Sequence, residues 1–344
     1  MTVSPPHEVL SHYPALATIQ GCRPVANAGF SGAAVWRVET LAGPLALRRW
    51  PDNGPPADRL RGLHALLHHL HNRGLTFVAV PLRNRTGSTI TRHRNTWWQL
   101  EPWLPGVADF ALNPSRLRLT AAMQALARWH NAARIFAPEP PAKSWFGGPE
   151  CGPAPAIVER TARLRDMLLR IGQMTPPTHL PTGDWRDAFR RLLAGCHSRG
   201  PQLLPLLEPV RTTSVPLQIC LRDVWLDHVL FTGDTVTGLI DPSASRCDSV
   251  ATDLARLLGS LIGDDAPAWD LALAAYENER PLSAVERQLI PLLDKSGVVL
   301  SAWTWIERLS TSPTADLGSP RLLRRLRDMA DRLEQSPKSL ILPP

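Results

Sequence analysis

Two aspartates carry the most specific chemistry in this sequence. Asp223 stands in CLRDVWLDH, in a loop ahead of an apolar run, and Asp241 closes the run TVTGLID. Alternating segments flank the turn residues Thr232, Gly233 and Asp234, which predicts a hairpin that brings both carboxylates to one rim. One acid that orients a hydroxyl and another that holds Mg2+ are what a metal–phosphate site requires. Aspartates beside strands also form turns, so the pair alone does not fix a function.

Such a pair needs a framework. AAVWRVET, LAGP and LALRRW, within residues 33–50, read as a hairpin, preceded by the small-residue loop NAGFSGAA. ADRLRGLHALLHHLHNR repeats Leu60, Leu63, Leu67 and Leu70 at helical spacing and is followed by Gly74 at the C′ position. FVAVPL and TWWQLEPW read as two further strands. From Pro105 the texture turns helical, with an apolar stripe through Leu119, Met123, Leu126 and Ala127, and helical patterns resume at 156–172 and 184–197. PLQICL reads as a short strand, and a last helix starts at Ser319-Pro320. The expected division is a β-rich lobe over residues 1–102 and a larger, mainly helical lobe over 103–344.

The chain has 344 residues, 44% hydrophobic, with no apolar run long enough to span a membrane. Five scattered cysteines without CxxC spacing argue against a disulfide framework or a structural zinc site. The start MTVSPPHEVLSHYP shows no secretory signal, so a cytoplasmic location is expected. The net charge of +7 invites a nucleic-acid reading. Only Lys143, Lys295 and Lys338 are lysines, however, and the arginines are interleaved with acids rather than clustered, so no nucleic-acid partner is expected. His64, His68 and His71 share a helix face, but no cysteine or carboxylate completes a metal set. The acids Asp264, Asp265, Asp270 and Glu277 form either a solvated loop or an acidic rim suited to a cationic substrate.

The ordered set of features resembles the aminoglycoside phosphotransferase/choline kinase-like family. LRDVWLDH lines up with H-R-D-x-x-x-x-N, written HGDLHPGN in many phosphotransferases, and TGLIDPSASRCDSVATDLARLL resembles the metal-binding Asp and the D-x-x-x-D-L-A helix that follows it. The resemblance spans residues 20–310, with 220–260 its specific part. It implies an α+β, bilobal protein kinase-like fold and transfer of the γ-phosphoryl group of ATP or GTP to a hydroxyl of a small molecule, aminoglycoside-, choline- or sugar-like. By resemblance Asp223 is the catalytic base, Asp241 a ligand of Mg2+ or Mn2+, and His228 a second metal ligand where the family has Asn. Gly29, Ser31 and Gly32 lie over the phosphates. Glu101 to Trp103 form the hinge that presents backbone groups to adenine, with the Trp103 ring available to stack on the base. Asp253 braces the catalytic loop.

Several residues depart from that pattern. Leu221 replaces the loop histidine, and Pro242-Ser243 follow the metal aspartate. No lysine precedes Lys143, so Arg48 in LALRRW becomes the expected phosphate partner, with Arg49 turned to the other face by strand alternation. Between residues 51 and 100 the only acids are Asp52 and Asp58, which leaves Arg48 without a mid-helix carboxylate. These changes keep a second reading open: a pseudokinase that uses the same fold as a nucleotide-sensing or protein-binding module.

Overall fold

The hairpin expected at 33–50 forms and becomes the centre of a sheet. The computed structural model describes residues 7–14, 19–25, 33–311, 317 and 319–335. The chain begins with α1 (His7–Leu10), β1 (Ile19–Pro24), β2 (Ala34–Thr40), β3 (Leu45–Arg49), α2 (Ala57–Asn72), β4 (Thr91–His93) and β5 (Thr96–Pro102). Next come α3 (Arg116–Arg134), α4 (Lys143–Phe146), β6 (Cys151–Pro153), α5 (Pro155–Arg170) and α6 (Asp184–Val210). The short strands β7 (Ser214–Pro216), β8 (Gln218–Cys220), β9 (Val229–Thr232), β10 (Thr235–Leu239) and β11 (Arg246–Asp248) follow. Four helices close the chain: α7 (Ala251–Leu261), α8 (Ala266–Glu277), α9 (Ala284–Thr311) and α10 (Pro320–Gln335).

Contacts group the chain into two compact units. One comprises Met1–Gly148, Asp223–Cys247 and Leu271–Arg280; the other comprises Pro149–Arg222, Asp248–Asp270 and Pro281–Pro344. These units do not follow a division at residue 102, because α3, α4 and the β9–β10 hairpin group with the sheet.

In the first unit the sheet runs β1-β2-β3-β5-β4, antiparallel throughout. Trp36 lies opposite Leu47, and Leu47 opposite Leu100. Strand alternation therefore sends Trp36, Val38, Leu47, Trp98 and Leu100 to one face, where they pack with Val9, Leu10 and Tyr13. The same alternation leaves Arg48, Gln99 and Glu101 together on the other face. Helix α2 buries Leu60, Leu63, Leu67 and Leu70, as its periodicity predicts. Each buried leucine contributes roughly 1.5–3 kcal/mol. Gly74 ends the helix at φ +85°, its N–H bonded to the His71 carbonyl at 2.8 Å, as a C′ glycine should. Helix α3 starts at Ser115, whose hydroxyl accepts the Arg118 N–H at 3.1 Å.

Two expectations need correction. FVAVPL is not a strand; it makes a bridge from Val78 to Leu239 and a hydrogen bond from the Leu82 N–H to the Leu100 carbonyl at 2.7 Å, and the sheet edge is Thr91–His93 instead. Pro81 within that segment has no N–H to give to a ladder. In the second unit α6 does not end near residue 197 but continues through Pro201, Pro205 and Pro209. Their four-residue spacing stacks the rings and missing donors on one face, while Leu203 and Leu207 bury the other. The start expected at Ser319-Pro320 is found, with the Ser319 hydroxyl accepting the Leu322 N–H at 3.3 Å.

Candidate active site

Arg48 and Asp241, 193 residues apart in sequence, meet in the first unit: the arginine Nη1 donates to Asp241 Oδ1 at 3.3 Å. The arginine is on β3, and the aspartate follows β10 in a left-handed conformation (φ 56°, ψ 57°). That region is sparsely populated by non-glycine residues and is where functional side chains are often held, Asp being among the residues that tolerate it. The Ser243 hydroxyl donates to the same Asp241 oxygen at 3.0 Å. Arg59 of α2 donates to the carbonyls of Ser243 and Ser245 at 3.1 and 3.2 Å, pinning the turn after Asp241 to the helix. Burial first, and then the charge of Arg246, pull the Arg59 guanidinium below its ordinary pKa.

The arginine's partner is not missing; it comes from a strand rather than a helix. Arg48 Nη2 lies 3.9 Å from Glu101 Oε1, and both side chains are largely buried. Burial pushes the Glu101 carboxyl above the usual carboxylate range, and Arg48 opposes that shift. Glu101 Oε2 accepts from the Gln99 amide at 2.7 Å, and Gln99 Oε1 accepts from Trp50 Nε1 at 2.9 Å. His64 Nε2 lies 3.1 Å from that same Gln99 oxygen, and its Nδ1 lies 2.8 Å from the Thr89 hydroxyl. Of the four histidines on α2, His64 is thus a buried polar anchor, its pKa lowered to about 4 chiefly by burial.

Asp223 is exposed in the loop before β9. His228, expected among the metal ligands, has other partners. Its Nε2 accepts the Trp225 indole N–H at 2.9 Å, and its Nδ1 lies 2.8 Å from the Asp223 carbonyl. An indole only donates, so the ring proton sits on Nδ1 and is given to that carbonyl. With both nitrogens engaged, the ring offers no lone pair to a metal in this arrangement and braces the loop instead. The Asp241 carboxylate, an oxygen donor, suits a hard ion such as Mg2+.

The hinge expectation also changes. The Trp103 N–H is donated to the Pro44 carbonyl at 3.0 Å, Pro102 has none, and the Trp103 ring lies 5.1 Å from the Arg37 guanidinium. Glu101 contributes its side chain to Arg48. The glycine-loop residues Gly29, Ser31 and Gly32 lie outside the described residues.

In the second unit, fully buried Asp253 on the first turn of α7 accepts the N–H groups of Leu221 and Arg222, each at 2.6 Å. These are the two residues immediately before Asp223. Arg222 is held at φ 66°, its guanidinium paired with fully buried Asp248 and bonded to Glu159 at 2.6 Å. Gln99, Arg59 and His64 were not singled out as site residues from the sequence. The available signal was alternation: Gln99 and Glu101 recur every second residue in an otherwise apolar strand.

A five-stranded antiparallel sheet that carries a basic residue to a metal-type carboxylate, followed by a helical remainder, is the protein kinase-like arrangement. Solved structures agree at the level of fold. Spectinomycin phosphotransferase APH(9)-Ia, in complex with ADP and spectinomycin, superposes with a TM-score of 0.71 over 97% of both chains at 10% identity. The microcompartment-associated aminopropanol kinase gives 0.58 over 95% of this chain and 93% of its own, at 13% identity. Residues 23–289 match the phosphotransferase enzyme family, and the chain belongs to it. It is similar to the homoserine kinase of Beijerinckia indica subsp. indica, 25% identical over 269 residues that cover 74% of this chain and 71% of the relative. The homoserine kinase of Rhodopseudomonas palustris is 25% identical over 270 residues, 75% and 71% of the two chains. The protein is a small-molecule phosphotransferase of this family. Among the described residues, no helix is long and apolar enough to cross a membrane.

Proposed function

We propose that the protein transfers the γ-phosphoryl group of ATP to a hydroxyl of a small, amine-bearing molecule. The observation that carries this reading is the Arg48–Asp241 contact of 3.3 Å, which joins a phosphate-type cation to a metal-type carboxylate. In the proposed step Asp223 takes the proton of the acceptor hydroxyl as the acceptor oxygen bonds to the γ-phosphorus. The bond from that phosphorus to the bridging oxygen breaks, and ADP leaves. Arg48 pairs the phosphate oxygens, and Asp241 holds the Mg2+ that neutralises their charge. The acceptor class is supported by the relatives: homoserine kinases in sequence, and spectinomycin and aminopropanol kinases in fold.

The pseudokinase reading is weakened by the retention of both aspartates and by a carboxylate partner for Arg48. The deciding experiment is a thermal-shift titration of ATP and GTP with Mg2+ and with Mn2+, on the wild type and on Asp241→Ala. Stabilisation should need nucleotide and metal together and should vanish in the variant. ADP release is then followed with homoserine, aminopropanol and spectinomycin as acceptors, where Asp223→Asn should keep nucleotide binding and lose turnover by about 10²–10⁴-fold. No stabilisation of the wild type by any nucleotide would overturn the reading.

A further inference from the structure

We infer that Glu101 is the positioning residue for Arg48, the carboxylate that keeps the guanidinium aimed at the phosphates whether or not Asp241 is engaged by a metal. The inference deepens the phosphotransferase reading and rests on it. Helix α2 supplies no such acid: its Asp58 pairs with Arg61 at 2.9 Å, and the residues it turns toward the site include Arg59 and His64. The strand register explains how Glu101 takes the place. Arg48 lies opposite Gln99, and Ala46 lies opposite Glu101. A methyl group at Ala46 leaves the space in which Glu101 and Arg48 reach each other diagonally across the two strands.

The carboxylate is itself fixed. Gln99 Oε1 accepts from Trp50 and faces His64 Nε2, so its amide nitrogen must point at Glu101, where it donates at 2.7 Å. This orientation puts a proton on His64 Nε2; the ring, neutral because burial lowers its pKa, then accepts from the Thr89 hydroxyl at Nδ1. The Trp50 ring, 5.3 Å from the guanidinium, closes another side of Arg48. When a divalent ion draws on Asp241, that contact with Arg48 weakens. The Glu101 contact does not depend on it.

The charge on Glu101 then matters most when nucleotide is bound, which separates positioning from a merely structural role. The experiment measures Mg·ADP affinity by calorimetry for the wild type, Glu101→Gln, Glu101→Asp, Arg48→Met and the double variant Glu101→Gln/Arg48→Met. We expect Glu101→Gln, which keeps shape and loses charge, to weaken binding about tenfold, with Glu101→Asp recovering part of it. In the Arg48→Met background the same change should have almost no further effect, because the group it positions is gone. Should Glu101→Gln fail to fold, Gln99→Met, which releases Glu101 without removing it, is read in the same cycle and should weaken binding about threefold. Affinity within twofold of the wild type, or an equal loss in both backgrounds, overturns the inference. A wild type that binds no nucleotide overturns the phosphotransferase reading along with it.

Discussion

Arg222→Gly is the substitution for which intuition and structure disagree. The pattern HGDLHPGN that LRDVWLDH resembles has glycine at this position, and Arg222 has φ 66°, a conformation that costs an L-residue about 1–2 kcal/mol. Glycine relieves that strain but gives back about 0.5–1 kcal/mol through a freer unfolded chain, so the backbone terms nearly cancel. What remains is Asp248, fully buried and paired with the guanidinium that the substitution removes. Breaking a buried pair from one side costs about 3–5 kcal/mol. Asp248 keeps hydrogen bonds from the N–H groups of Ala156 (3.1 Å) and Ser249 (2.8 Å), which argues for the lower end. The expected net loss is about 2–3 kcal/mol, or a melting temperature lower by roughly 3–4 °C for a chain of this size. Burial already raises the Asp248 pKa against the pull of Arg222, and the variant raises it further. Acid then neutralises the stranded carboxyl, so the deficit should shrink from about pH 8 to about pH 5. Differential scanning calorimetry at both pH values reads this directly, and Asp248→Asn added to Arg222→Gly should recover most of the loss. An Arg222→Gly protein that melts at or above the wild type would refute the reasoning and make strain relief the larger effect.

Three further outcomes follow from the same geometry. His228→Asn should leave the ratio of Mn2+ to Mg2+ affinity unchanged while lowering the melting temperature; a changed ratio would mean that the ring leaves its two partners to bind metal. For His64 the folded pKa is about 4 against 6.5 unfolded, so its contribution is complete above pH 6.5 and is lost as pH falls toward 4. The stability gap between wild type and His64→Gln should therefore narrow by about 2 kcal/mol between about pH 7.5 and about pH 5, as thermal melts would show. Arg59→Ala, which frees the turn after Asp241, should weaken Mg·ADP binding by about threefold to tenfold in calorimetry. Unchanged affinity would mean that the turn holds its shape unaided.

What the sequence made legible was local or bound to a motif. Alternation located the β2–β3 and β9–β10 hairpins and sent Arg48 and Arg49 to opposite faces; periodicity and a trailing glycine located α2 and its end. Within the segment 220–260 the bracing contact of Asp253 with the loop before Asp223 was legible, because it depends on spacing within one stretch of chain. Glu101 escaped for a different reason. Its alternation with Gln99 was visible, but which strand lay beside β5 was not, since α2 and β4 intervene in sequence and the sheet order places β5 against β3. Without that neighbour, an acid near a strand end reads as hinge material, and Arg48 reads as an arginine without a partner. His228 escaped because its ring is claimed by Trp225 and Asp223, three and five residues away, in a short turn whose geometry no periodicity encodes. In both cases the expectation turned on a neighbour that the sequence does not display. An apparent gap in a motif is therefore weak evidence for lost activity until the strands beside it are known, and here the carboxylate that α2 lacks is on β5.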